Sequence, residues 1–179
     1  LRAGADGYNI AIGYDAGVAM STGVRNTLIG GLAGDALTTG DYNIAIGYNA
    51  LTAEDTGNRN TAVGYKSLEA LNYDGDGLNT GIGYAAGQAM TTGTQNTIIG
   101  GHAGDALTDG NTNVAVGAYA LSAETRGDRN VAVGRQALAS QNNTSDTDVY
   151  NVAVGYNAGL SVSTGTQNTI VGGLAGDAL

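Results

Sequence analysis

The chain has 179 residues, including 31 Gly and 10 Tyr, and it contains no Pro, Cys, Phe or Trp. With 16 acidic residues against 7 basic ones and a net charge of −9, it lacks the basic character that binds nucleic acid or anionic lipid. The absence of Cys excludes disulfides and thiolate metal sites, and no apolar run is long enough to span a bilayer. We therefore expect no nucleic-acid partner and no membrane insertion.

One short segment recurs along almost the whole chain. It consists of Asn, three mostly apolar residues and Gly. It begins at Asn9, Asn26, Asn43, Asn60, Asn79, Asn96, Asn113, Asn130, Asn151 and Asn168. Seven of the nine intervals are 17 residues, and the other two, 60 to 79 and 130 to 151, are longer by two and four residues. A fixed period this short is typical of a stacked array of coils.

A longer period is superimposed on this repeat. Asn9 to Asn79 is 70 residues and Asn79 to Asn151 is 72, so four coils form a super-repeat. We predict a single repeat module over residues 1–179, with super-repeats starting near residues 9, 79 and 151. Residues 1–8 match the end of a preceding coil, and we expect the chain to be a segment of a longer protein.

Each coil begins with a pattern typical of a β-strand. Heads such as Asn-Ile-Ala-Ile-Gly alternate large and small residues with a period of two, while the frequent Gly and Thr-Gly pairs argue against a helix. We predict an all-β, parallel β-solenoid of about ten 17-residue coils. Each coil is expected to hold two strands of about five residues. The Ile or Val at the fourth position, from Ile12 to Val171, is predicted to form the core.

Two further columns indicate how the interior is filled. The eighth residue after each Asn runs Gly, Gly, Leu, Leu in successive coils, as in Gly17, Gly34, Leu51 and Leu68. The residue three positions later is large and apolar in the Gly coils, whereas in the Leu coils it includes Glu54 and Glu124. We interpret this as one space filled from either of two positions at constant packed volume.

The inserted residues fall in two polar segments, 71–75 and 141–146, which we predict to be loops bulging from one side of the stack and call the first and second seam loops. Asp74 and Asp76, within the pattern Asn-x-Asp-x-Asp-Gly, and Asp146 and Asp148 are candidate calcium ligands. Solvated turns are the alternative interpretation. No other cofactor is expected.

Three other sets of residues are candidates for a role. The ten repeating Asn residues are predicted to form a structural ladder along the stack. His102, the single histidine, is a candidate ion ligand if its column faces a three-fold axis, or else a tolerated substitution on a half-buried face. Five tyrosines in the position after the head Gly are candidates for surface binding, or for covering a core or a subunit seam: Tyr14, Tyr48, Tyr65, Tyr84 and Tyr156.

The head Asn-x-Ala-[Ile/Val]-Gly-x-x-Ala, as in residues 43–50 and 151–158, resembles the head repeat of the YadA-like trimeric autotransporter adhesins and the similar repeats of phage tail fibres. The 17-residue coil is longer than the usual repeat of that family. The resemblance implies a left-handed parallel β-roll, a side-by-side homotrimer, and an outer surface that binds a host glycan or protein receptor. It also implies an extracellular location, on a virion tail fibre or a bacterial cell surface.

Trimer formation also has a physical argument, because a stack this thin buries little surface per residue and its remaining apolar columns need cover. The sequence-based expectation is therefore a structural or adhesive fibre segment that is not an enzyme. An ice- or surface-binding solenoid is the alternative, although its Thr22, Thr39 and Thr56 column is later interrupted by Asp109 and Arg126. A carbohydrate-active solenoid enzyme ranks third, with Asp35, Asp105 and Asp177 as the recurring acids.

Overall fold

A computed structural model describes residues 7–178 and shows an all-β parallel solenoid of ten coils. The proposed end of a preceding coil at residues 1–6, and Leu179, lie outside the described residues. Ten three-residue strands, one per coil, build the main sheet: β1 Ile10–Ile12, β2 Thr27–Ile29, β3 Ile44–Ile46, β4 Thr61–Val63, β5 Thr80–Ile82, β6 Thr97–Ile99, β7 Val114–Val116, β9 Val131–Val133, β11 Val152–Val154 and β12 Thr169–Val171. Two-residue strands, β8 Gly127–Asp128 and β10 Thr147–Asp148, form a second small sheet.

Every neighbouring pair in the main sheet is parallel and in register. Ile10 lies beside Thr27, Thr27 beside Ile44, and the same offset continues to Val152 beside Thr169. At the usual spacing between strands, ten strands make a sheet about 45 Å long. Because each residue is stacked on its equivalent in the next coil, a column in the sequence becomes a column on the molecule.

The prediction of two five-residue strands in each coil is wrong. Each coil has one strand of three residues in the main sheet, and turns and bends occupy most of the remainder. The Gly that ends each strand explains the short length, since its φ is +131° at Gly30 and a Cβ there would lie 2.5 Å from the carbonyl oxygen of Gly47. The chain therefore bends sharply after three residues, at a position where only Gly fits.

The prediction that the Ile/Val column forms the core is also wrong. These side chains lie on the outer face of the sheet, where Ile12 is 60% exposed and Ile82 is 38% exposed. The inward-facing strand residue is the one before it, such as Leu28, Ala45 or Ile98, each fully buried. In strands such as Ile44–Ile46 the small residue of the alternating pattern faces inward, because the narrow interior has little room.

The interior space beside the Gly/Leu column is filled from two sides. Where the column has Gly34, the strand has Leu28, and a Cβ on Gly34 would lie 2.9 Å from Leu28 Cδ2. Where it has Leu51, the strand has Ala45. The residue three positions after the column, which is the partner we predicted, is buried in each of the first nine coils. It borders the same space in the coils of Gly17, Gly87 and Gly159, where a Cβ on the Gly would lie 3.4 to 3.6 Å from it.

Candidate functional site

The outer face of the main sheet is a flat, uncharged surface of two columns. The column at the fourth head position is Ile or Val in all ten coils. The column at the second position is made of Ile10, Thr27, Ile44, Thr61, Thr80, Thr97, Val114, Val131, Val152 and Thr169. These side chains are half-buried or exposed, with nothing covering them in the described chain. A contiguous, mainly apolar surface is a feature that often marks a protein–protein contact.

An aromatic column runs along the corner that follows the strands. It consists of rings that contact one another in sequence, with centroids 5.1 to 5.7 Å apart: Tyr48, Tyr65, Tyr84, His102 and Tyr119. Successive rings are stacked except for Tyr84 and His102, whose planes are tilted by 56°. The contacts follow from the register, because each ring lies one coil from the next. Three of the predicted surface tyrosines belong to this column, whereas Tyr119 and His102 come one position later in their coils and were not predicted to join it.

The two remaining predicted tyrosines lie outside the stack. Tyr14 is 77% exposed in the first coil, and the equivalent position in the next coil is Gly31, which offers no ring. Tyr156 is half exposed and lies under the guanidinium of Arg135, 5.7 Å from its ring centroid. The five tyrosines therefore share one corner but do not form one continuous surface.

A second aromatic column occupies the corner before the strands. The guanidinium groups of Arg25 and Arg59 lie 5.2 and 5.5 Å from the ring centroid of Tyr42, one from each side. Arg129 lies over the ring of Tyr150 in the same column. The flat face is thus bordered on one side by the first aromatic column. On the other side, Tyr and Arg alternate in the first four coils and are followed by Leu78, Gln95 and Thr112.

His102 lies within the first aromatic column, between Tyr84 and Tyr119. Its Nδ1 lies 2.9 Å from Oδ2 of Asp105, which is the recurring acid of the same coil. The equivalent acid one super-repeat earlier, Asp35, accepts a hydrogen bond from the Thr52 hydroxyl. The ion site on a three-fold axis stays a prediction.

The candidate calcium ligands are not gathered into one site. Asp74 accepts a hydrogen bond from the Thr56 hydroxyl, and Asp76 forms an ion pair with Arg59. At the second seam, Asp146 pairs with Arg126 at 3.0 Å and Asp148 pairs with Arg129. Among residues 7–178, no group of three or more His, Asp or Glu side chains is arranged to hold a metal ion.

The repeating Asn residues form a buried ladder. The Oδ1 of each Asn generally accepts the backbone N–H of the Asn in the next coil, as from Asn26 to Asn9 at 2.8 Å, and its Nδ2 donates to a Gly carbonyl. The ladder is incomplete in the two coils that carry the seam loops. Asn60 Nδ2 and Asn130 Oδ1 are buried without a partner.

Two buried glutamates, which the sequence patterns did not identify as anchors, hold the seam loops. Oε1 of Glu54 accepts from the Gly57 N–H at 2.7 Å, and Oε2 accepts from the Tyr73 N–H at 3.2 Å. Burial raises the pKa of Glu54, although backbone hydrogen bonds from Gly57 and Tyr73 oppose that shift. The available signal was a charged residue recurring in a column otherwise made mainly of Met and Leu.

Glu124 occupies the equivalent position at the second seam and accepts six hydrogen bonds. Its Oε1 accepts from the backbone N–H groups of Thr125, Arg126, Gly127 and Asn143. Its Oε2 accepts from the side-chain amides of Gln141 and Asn143, at 2.7 and 2.9 Å. The Glu124 carboxylate therefore ties the second seam loop to the preceding coil, to which Glu124 belongs.

A polar groove lies between the two seam loops. It encloses about 470 Å³ and is lined by Tyr73, Thr92, Thr94, Asp109, Asn111, Asp128 and Asp146. The two loops supply the first and last of these residues, and the three coils between them supply the others. The extra seam residues thus create a depression on a face that would otherwise be uniform.

No protein-family model matches this sequence, and neither a curated protein nor a solved structure is similar to it. Within the described residues, no helix could cross a membrane.

Proposed function

We propose that this chain is a segment of an extracellular fibre in which three copies pack side by side through the flat outer face of the main sheet. The observation that supports this most is the two-column face itself, which is uncharged in all ten coils. Covering it removes apolar side chains from water, at about 25 cal/mol for each Å² of apolar surface. The resemblance of the repeat to trimeric adhesin heads and phage tail fibres supports the same assembly.

The two bordering columns suit a head-to-tail arrangement around a three-fold axis. In a ring, one edge of a subunit's face meets the opposite edge of the next subunit. The stacked rings of Tyr48, Tyr65 and Tyr84 would then approach the Arg25 and Arg59 column of the neighbour. Tyrosine hydroxyls accept hydrogen bonds from guanidinium groups, as Tyr42 does from Arg25, so these edges are chemically complementary. The fibre's role is to hold or form a receptor-binding surface, and we propose no reaction.

The mass in solution, measured by light scattering at several concentrations, tests this proposal. The expected result is a stable species of three times 17.8 kDa. Ile82→Lys, in the middle of the flat face, is expected to dissociate it, whereas the matched control Thr39→Lys, at an exposed turn position, leaves it intact. A monomeric parent chain at all concentrations would contradict the proposal.

The same face supports a second candidate function, that of a monomeric solenoid binding ice or another ordered surface. The Thr22 column considered from the sequence lies in the turns and does not lie on the sheet. Five threonines instead occupy the second head position on the flat face, in register with Ile and Val. A monomer that shows thermal hysteresis, with Thr80→Lys abolishing it, would favour this candidate over the fibre.

A further inference from the structure

The groove between the two seam loops has the composition of a carbohydrate-binding site. Its lining combines hydroxyls of Thr92 and Thr94, the amide of Asn111, the carboxylate of Asp128 and the ring of Tyr73. Sugar hydroxyls donate and accept hydrogen bonds at once, and such mixed lining satisfies both needs. The volume of about 470 Å³ lies within the range of small-molecule sites.

The polar groups in the groove are held in place before any ligand binds. Oδ1 of Asn111 accepts from the Thr94 N–H at 2.9 Å, and Oδ1 of Asp128 accepts from the Asn111 N–H at 2.6 Å. The Asn111 Nδ2 donates to the carbonyl oxygen of Asp109 at 3.0 Å. Because hydrogen bonds from neighbouring coils already hold these side chains, ligand binding costs little side-chain conformational entropy.

The charges of the groove select among ligand classes. Arg126 bridges Asp109 at 2.7 Å and Asp146 at 3.0 Å, so one positive charge is shared by two carboxylates and one negative charge is left over. Asp128 adds a second negative charge, and its Oδ2 accepts no hydrogen bond from the described residues. A net negative groove repels sialic acid, sulfate and phosphate groups. Few apolar side chains line it, which makes a lipid or an apolar peptide a poor fit.

The Tyr73 side chain completes the site at the end formed by the first seam loop. It is 36% exposed and lies over Gly75, where a Cβ would be 3.5 Å from the ring. Its backbone N–H is held by the buried Glu54 carboxylate. A partly exposed ring on an anchored loop can stack on the C–H face of a sugar. Tyr73 belongs to the fourth coil and Asp146 to the eighth, so the groove spans four strand spacings, about 19 Å, which is long enough for a trisaccharide.

We infer that this groove binds a neutral oligosaccharide, with Tyr73 stacking on one ring and Thr92 and Asp128 bonding to hydroxyls. The inference rests on the proposed adhesive role, because it names the ligand class of that role. The groove is nevertheless complete within one chain, so it does not depend on trimer formation.

Saturation-transfer NMR and calorimetry with maltotriose, cellotriose and chitotriose test the inference, with spermidine and sialyllactose as charged comparisons. Binding of at least one neutral trisaccharide is the expected result. Asp128→Asn and Tyr73→Ser are expected to weaken it about tenfold or more, equivalent to loss of one strong polar or stacking contact.

Matched variants separate loss of binding from loss of folding. Asp41 lies two residues before a repeating Asn, as Asp128 does, and it accepts a hydrogen bond from the Val24 N–H at 2.7 Å. Because Asp41 lies outside the groove, Asp41→Asn controls for Asp128→Asn. Tyr156→Ser controls for Tyr73→Ser, since Tyr156 is exposed and far along the chain from the groove.

Binding of none of the three neutral trisaccharides, or of spermidine or sialyllactose alone, would overturn the inference. So would an equal loss of affinity in the control variants. The mass measurement is independent of these results. If the chain is a trimer but binds no trisaccharide, the fibre proposal stands and the proposal of oligosaccharide binding is wrong. If it is a monomer that binds a trisaccharide, the fibre proposal is wrong and oligosaccharide binding stands.

Discussion

The two seams perform the same task with different numbers of hydrogen bonds. At the first, Glu54 accepts from Gly57 and from Tyr73 of the inserted loop. At the second, Glu124 accepts six, two of them from the side chains of Gln141 and Asn143. The second loop carries two more inserted residues, and it contributes three of those donors. The comparison teaches that a buried charge can anchor an insertion, and that its stability depends on how many donors the insertion supplies.

Removing the two carboxylates should have the largest effect and separate the seams most clearly. Glu124→Ala leaves six donors without their acceptor, four of them on the backbone, and is expected to lower the free energy of unfolding by about 3 to 5 kcal/mol. Glu54→Ala leaves fewer and is expected to cost about 1 to 2 kcal/mol. Urea unfolding of both variants checks the order, which equal losses would contradict.

Exchanging one residue between the seams should make them more alike. Gln141 donates to Glu124 and accepts from Asn151 Nδ2 at 2.7 Å, whereas the equivalent residue at the first seam is Leu71. Gln141→Leu should therefore destabilise the chain by about 1 to 3 kcal/mol. Leu71→Gln, its counterpart, places an amide beside Glu54 and should cost less. If Gln141→Leu is neutral, the amide contributes nothing to the second seam.

The pH dependence of stability should report on Glu54 at the first seam, where the loop is held by fewer hydrogen bonds. Burial raises the pKa of Glu54 above the ordinary value of a Glu carboxyl, so as the pH falls the folded state binds a proton there before the unfolded state does. The contribution of this group is fully present below the unfolded pKa and is lost as pH rises through the folded pKa. Glu54→Gln should remove this part of the pH profile, as measured by urea unfolding between pH 4 and 8. An unchanged profile would contradict the assignment.

The exposed ion pairs beside each seam should have the smallest effect. Arg59 pairs with Asp76 at the first seam, while Arg126 contacts Asp109 and Asp146 at the second. Exposed pairs are screened by water and salt, so Arg59→Ala and Arg126→Ala should lower the melting temperature less than any variant above. Arg126→Ala should have the larger effect of the two, and high salt should reduce the difference. A salt-independent loss would indicate a role in packing.

Much of the architecture was predictable because the register turns sequence columns into physical columns. The ten repeats, the parallel stack and the position of the inserted residues follow from spacing alone. Which strand residue faces the interior was not predictable from alternation, because Leu28 and Ile29 in the same strand are both large. Deciding which one faces inward required the partner position, where Gly34 leaves room for Leu28.

The site was less predictable than the fold. The Asp74 and Asp76 spacing indicated calcium, but ion pairing and a hydroxyl contact decide where those carboxylates point, and both partners come from the preceding coil. The aromatic column joins residues from two different repeat positions, such as Tyr84 and His102, since long rings reach the same place from adjacent positions. The groove depends on loop shape, which a repeat pattern does not encode.

The incomplete asparagine ladder has a mechanical consequence. At the first seam Asn60 Oδ1 still accepts from the Asn79 N–H at 3.2 Å, but at the second seam Asn130 Oδ1 has no partner, so the link between successive asparagines is missing there. In a linear array each coil is held by its neighbours, so a local defect is where the array separates first. A rod built this way and pulled along its axis should fail first at the second seam.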